Sequence, residues 1–201
     1  MDMKDMKIKI ENEEAFKDAI KIMIKAIGED PTREGLEQTP LRVKKAFEDW
    51  FGGYNKDPKQ ILNRTFPAEG YNDIIGIPNI SFDSFCEHHI TPIRGLAHVF
   101  YIPNNRIIGL DKIIKLVYMY ARRLQTQEVM TQQIGDAMKD ALDAKGIYVY
   151  IEAKHNCVAT RETRSKDSSM LTTYRDGIFK ENFSMENKAL HMVEIAKKGG
   201  Y

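Results

Sequence analysis

Ile80-Ser-Phe-Asp-Ser-Phe85 and Leu96-Ala-His-Val-Phe-Tyr-Ile102 decide the fold class of this 201-residue chain. In both, apolar side chains alternate and β-branched and aromatic residues are enriched, the period of strands packed on a core. Ahead of them the period is helical. Phe16, Ala19, Ile20, Met23, Ile24 and Ile27 recur after Asn12, a candidate N-cap followed by Glu13 and Glu14, and Gly28 stops the run. Thr39 is read as the N-cap of a second helix opened by Pro40, with Val43, Ala46, Phe47 and Trp50 on its apolar face and Gly52-Gly53 at its end. Residues 54–72 have scattered Pro, Gly and Asn and read as loop. Beyond the strands, Pro103-Asn-Asn105 is a turn into Arg106-Ile-Ile108, which predicts a hairpin. Asp111 begins a long helix running through Ile113, Leu116, Val117, Tyr120 and Leu124; a second run spans Met130, Ile134, Met138 and Leu142 and stops at Gly146. Ile147 to Ala153 and Leu171 to Phe179 are two further strands. Strands grouped around two central helices, with a helical region over residues 1–72 and a second region over 73–201, make the fold class α+β.

Between the first two strands lies Cys86-Glu-His-His89, matched much later by His155-Asn-Cys157. These are the only two cysteines, and each lies beside histidines. C-x-x-H lets one tight turn present thiolate and imidazole to the same ion, and Cys157 completes a Cys₂His set of the kind zinc favours. Three protein ligands leave a fourth position open, the mark of a catalytic site. His88 and His155 are then spare imidazoles suited to moving protons. Two plainer readings compete: buried cysteines as core residues, and a Cys86–Cys157 disulfide. Cysteine scarcity, a chain long enough to build a core without staples, and the unexplained flanking histidines favour metal.

Hydrophobic content of 42% and charged content of 29% are ordinary for a globular domain, and a net charge of +1 gives no bias toward nucleic acid or membrane. No apolar run approaches the roughly 20 residues that cross a bilayer. Met1 to Lys7 mixes charge signs and lacks an apolar stretch, so a cytoplasmic location is expected.

Eight motifs in order carry a resemblance to GTP cyclohydrolase I. They are Gly28-Glu-Asp-Pro-Thr-Arg-Glu-Gly-Leu36, Thr39-Pro-Leu-Arg-Val43, Cys86-Glu-His-His89, Tyr101-Ile-Pro103, Ile108-Gly-Leu-Asp-Lys112, Arg122-Arg-Leu-Gln-Thr-Gln-Glu128, Gln132-Gln-Ile134 and His155-Asn-Cys157 followed by Arg161. The resemblance implies the tunnelling fold, an antiparallel sheet on two long helices closed into an oligomeric β-barrel, with a homodecamer the usual assembly. It implies an enzyme that opens the imidazole ring of GTP, releases formate and yields 7,8-dihydroneopterin triphosphate. It also implies Zn²⁺ on Cys86, His89 and Cys157, where the ion would activate water near neutral pH. His88 and His155 match the proton-transfer histidines, and Glu128 with its neighbour Gln127 matches the guanine-recognising pair. A carboxylate accepts two parallel bonds from guanine N1–H and the exocyclic amine, a pattern adenine lacks. Leu110, Asp111, Lys112, Lys115, Arg161 and Arg42 fall on substrate-binding positions, mainly those that hold phosphate.

The departures lie on the phosphate side. Asp111 stands where the family has serine, Glu162 where it has glycine, Val129 and Lys115 where it has arginine, and Ser168 to Tyr174 fits its Ser/Thr-rich strand only loosely. Two unit charges 4 Å apart interact by about 4 kcal/mol at an effective dielectric near 20, so a ligand-facing Asp111 weakens triphosphate binding. Asp111 as a helix N-cap turned away from the ligand would leave that binding intact. Three other functions remain open: the same ring opening on a purine with fewer or no phosphates, a catalytically silent binding relative, and a nitrile reductase of the same fold. The last needs a nucleophilic cysteine, which two metal-bound cysteines do not leave.

Overall fold

The computed structural model describes residues 6–161 and 165–199. Its helices are α1 (Glu13–Ala26), α2 (Thr39–Trp50), α3 (Pro58–Ile61), α4 (Leu110–Ala121), α5 (Gln127–Ala141), α6 (Asn156–Ala159), α7 (Ile178–Glu181) and α8 (Phe183–Lys198). Its strands are β1 (Thr65–Pro67), β2 (Ile75–Cys86), β3 (Pro92–Pro103), β4 (Arg106–Ile108), β5 (Leu124–Gln125), β6 (Ala144–His155) and β7 (Met170–Gly177). The α+β class stands.

Five strands form one sheet in the order β5-β2-β3-β6-β7, antiparallel except for the two-residue β5. Alternation sorts the side chains. Ala97, Val99 and Tyr101 of β3 join Ile147, Val149 and Ile151 of β6 against Ile113, Leu116, Val117, Met130, Ile134 and Met138 of α4 and α5. The opposite face carries Phe100, Ile102 and Tyr148, which pack on Phe179, Ala189 and Val193. Met6, Ile61 and Leu62 from the N-terminal region join the first of these cores. Gly135 admits α5 to the sheet: a Cβ there would lie 2.3 Å from the Tyr174 ring.

Several expectations need correction. β4 does not return on β3; it pairs with β1, because Pro103 to Asn105 leads the chain away from the sheet edge, and β3 is already flanked by β2 and β6. The supposed loop 54–72 therefore contains β1, together with the end of a 3₁₀ turn over Gly52–Asn55 and the short α3. Thr39 is the first residue of α2, Gln38 occupies its N-cap, and no side chain caps it. The N-cap of α4 is Gly109, so Asp111 sits inside the first turn and is not the cap. That helix stops at Ala121, before Leu124. Leu142 ends α5, and Gly146 lies within β6. Phe179 falls in α7, beyond the end of β7. The two central helices have a third counterpart: α8, capped by the Asn182 side chain, covers the other face through Ala189 and Val193. Glu162 lies outside the described residues. Among the described residues, no helix is long and apolar enough to cross a membrane.

Candidate active site

Strand register brings the two cysteine motifs together. Ile93 of β3 pairs with Ser84 on one side and His155 on the other, so the end of β2 and the end of β6 flank the start of β3. Cys86 closes β2, and Cys157 sits in the single turn of α6 directly after β6. The loop between β2 and β3 is tight: Cys86 N–H donates to Thr91 O at 2.9 Å and Ile90 N–H to Cys86 O at 2.8 Å. It turns through Ile90 at φ 53°, a left-handed conformation that a β-branched residue adopts only under strain.

The ligand atoms of Cys86, His89 and Cys157 all lie within 4.8 Å of one another, and both thiols are free. A tetrahedral ion at about 2.0–2.3 Å holds its donors roughly 3.3–3.8 Å apart, which Cys86 Sγ and His89 Nδ1 meet at 3.8 Å, so a small inward shift of side chains would bring all three onto a single ion. Burial raises the Cys157 thiol pKa, and the adjacent Cys86 raises it further. His88 Nδ1 lies 3.8 Å from Cys86 Sγ, as does His89 Nδ1, and its other nitrogen faces Glu87 at 3.7 Å. The Arg161 guanidinium touches His89 Nε2, which puts one of the expected phosphate residues at the Cys/His/Cys cluster.

Two segments complete this end of the sheet. β5 pairs Gln125 with Cys86, and α5 starts immediately afterwards, with the Thr126 hydroxyl accepting from Val129 N–H. His155 Nε2 lies 3.0 Å from Gln127 Oε1. Burial lowers the His155 pKa, while the nearby Glu128 carboxylate pulls it the other way. Glu128 itself is exposed in the first turn of α5. Gln127 is not: it is 2% exposed, and its side chain bonds within the chain. Thr131 and Thr172, which bond to it, were not singled out in the sequence; the signals were the i, i+4 spacing from Gln127 to Thr131 and the Ser/Thr-rich stretch that holds Thr172.

The remaining expected residues lie elsewhere. α4 runs antiparallel to α5 and begins at the other end of the sheet, where Ile108 N–H donates to the Tyr101 hydroxyl. Ile93 and Tyr101 are eight residues apart on β3, about 26 Å at strand rise. Leu110, Asp111, Lys112 and Lys115 therefore belong to the end remote from Cys86. Asp111 accepts a hydrogen bond from Lys115 Nζ at 2.9 Å, and that ammonium holds its carboxyl below the usual range. Arg42 is exposed on α2, which packs on α1.

Comparison with known proteins gives one consistent result. Residues 16–194 match the family model described as GTP cyclohydrolase I. The chain belongs to the GTP cyclohydrolase I family. The protein named GTP cyclohydrolase 1 from Pelagibacter ubique is 45% identical over 186 residues, 92% of each chain. Those of the same name from Maricaulis maris and Brucella canis are 42% and 46% identical, covering 89% and 87% of this chain and 87% and 83% of their own. Among solved structures, the archaeosine synthase QueF-Like in its apo form aligns at TM-score 0.45 and 15% identity, covering 52% of this chain and 94% of its own.

Proposed function

We propose that the chain hydrolytically opens the guanine imidazole ring of GTP, releasing formate and giving 7,8-dihydroneopterin triphosphate. The convergence of Cys86, His89 and Cys157 within 4.8 Å, beside His155 and the first turn of α5, carries this reading. The donor set of two thiols and an imidazole suits zinc, and a bound zinc would supply Lewis-acid activation of water at neutral pH. Glu128, exposed beside His155, accepts two hydrogen bonds from guanine N1–H and the 2-amino group. The purine nitrogens gain protons as the ring opens, and His88 and His155 are the imidazoles placed to deliver them. Arg161 at the cluster, with Lys112 and Lys115 on α4, provides the cationic hold on phosphate, and Arg42 is assigned to the same task.

Lys112 and Lys115 lie at the opposite end of the sheet from the metal cluster, so a second copy supplies them. The open outer edge of β7 offers a place for copies to join, since an unpaired edge is otherwise a liability. We assign the tunnelling fold on this basis: sheets of several copies close a barrel, as a homo-oligomer and in this family a decamer, in the cytoplasm. Residues 73–201 form the catalytic part and 1–72 the helical arm.

One observation favours a second reading. Asp111 is held by Lys115, so part of the positive charge on α4 is already neutralised, which suits a purine carrying fewer phosphates. The deciding experiment incubates zinc-loaded protein with GTP, GMP and guanosine and follows formate and pterin fluorescence. Formate from GTP in preference to guanosine supports the first reading, the reverse order supports the second, and no formate from any of them leaves a silent binding relative.

A further inference from the structure

Gln127 sits under the candidate site with every polar atom of its side chain engaged. Its Nε2 lies 3.1 Å from Ile151 O, 3.0 Å from Met170 O and 3.0 Å from Thr172 Oγ1, and its Oε1 lies 3.0 Å from His155 Nε2. Two of those neighbours are backbone carbonyls, which only accept, so the amide nitrogen must face them and the amide oxygen must face the histidine. The hydroxyls agree. Thr131 Oγ1 lies 2.7 Å from Gln127 O and donates its single hydrogen there. It must then accept from Thr172 Oγ1, 2.7 Å away, so Thr172 can only accept from the Gln127 amide, whose two hydrogens are shared among three acceptors. The direction of each bond in the chain is thus fixed. An amide oxygen has no hydrogen to give, so the His155 nitrogen facing it must be the protonated one.

We propose that Gln127 is a positioning residue that fixes the ring orientation of His155 and holds it in the Nε2–H tautomer, leaving Nδ1 as the bare nitrogen that takes up a proton and passes it on. Among the described residues, Nδ1 has no hydrogen-bond partner of its own. The network spans three elements: Gln127 and Thr131 on α5, Ile151 and His155 on β6, and Met170 and Thr172 on β7. Its α5 side is buried, with Gln127 and Thr131 each 2% exposed, while His155 and Thr172 are half-buried, and a satisfied network of this kind holds one geometry. Support of this sort behind a site residue typically contributes 10–100-fold to activity. The role for Gln127 deepens the ring-opening reading and rests on it for its catalytic consequence.

The test has a spectroscopic arm and a kinetic one. In zinc-loaded full-length protein labelled with ¹⁵N-histidine and free of substrate, two-bond correlations should show His155 protonated at Nε2. A hydrogen on Nδ1 would overturn the proposal without reference to any variant. In steady-state kinetics with GTP, Gln127→Leu should lower kcat by about 10–100-fold with KM little changed. Gln127→Glu keeps an accepting oxygen for His155 and should retain more of kcat than the leucine variant. A merely structural glutamine predicts the reverse order, because a buried carboxylate facing two carbonyls is worse than an apolar isostere, and that order would also overturn the proposal. Failure of the wild type to turn over GTP would refute the reaction proposed above, whereas the tautomer is read independently of it.

Discussion

The two ends of the sheet are built differently. At the end where β2 and β6 finish, three segments far apart in sequence deliver two thiols, imidazoles, a buried amide and an exposed carboxylate into one cluster within a single chain. At the other end, the first turns of α4 carry Lys112, Asp111 and Lys115, and the last two are occupied with each other. α4 is about 18 Å long at helical rise and crosses from one end to the other, so its own N-terminus cannot serve its own chain's cluster. Thiols, imidazoles and Arg161 gather at one end of a single chain, whereas Lys112 and Lys115 lie at the other.

The largest effect that tests this contrast comes from the metal end. Cys157→Ser should lose most bound zinc and all formate release; full metal occupancy by elemental analysis would break the assignment. The next test joins the ends. Cys157→Ser and Lys112→Ala should each be inactive or nearly so on GTP, yet mixing and reassembling the two should recover measurable turnover. A mixture as inactive as its parents would mean that each chain uses only its own residues.

Asp111→Ser should have a smaller and more selective effect. Removing the carboxylate frees Lys115, so KM for GTP should fall several-fold while guanosine kinetics stay unchanged, consistent with one charge interaction in partly solvated surroundings. Equal effects on both substrates would remove Asp111 from the phosphate site.

The smallest effect concerns the strand between the ends. His98 is fully buried in mid-β3, stacked on Tyr150, with Nδ1 accepting from Asn79 N–H at 3.1 Å. Burial pushes its pKa down to about 4, with Glu152 opposing and Lys197 assisting that shift. The unfolded chain takes up a proton below pH 6.5 while the folded chain resists it, so stability falls as pH drops from about 6.5 toward 4. Thermal unfolding of His98→Gln should show a shallower loss over that window than wild type. Parallel slopes would place the acid sensitivity elsewhere.

Much of this was legible in the sequence because it rests on period and spacing. Alternation in Ile80 to Phe85 and Leu96 to Ile102 fixes a strand's two faces, and two cysteine motifs with flanking histidines name their own chemistry. What escaped depends on partners distant in sequence. β4 reads as the return of a hairpin, and only the packed sheet shows that β3 has no free edge for it. The apolar stripe of α8 is weak because Glu186, one of its buried positions, is matched by Arg175 from β7 and so is polar in the sequence. Gln127 and Glu128 are adjacent letters, yet the helix turns one into the core and the other to solvent.

The register that sets Ile93 between Ser84 and His155 also dictates when the chain can become competent. Pairing of β2 with β3 closes a short loop, and both long helices form from local contacts, so these can settle early during synthesis. Cys157 arrives last. Until residues past it have emerged and β6 has docked on β3, Cys86 and His89 are a half-site on an otherwise structured chain. Metal capture should therefore lag behind secondary structure in refolding, and a nascent chain stopped before Cys157 should hold its hairpin and helices but no tightly bound zinc.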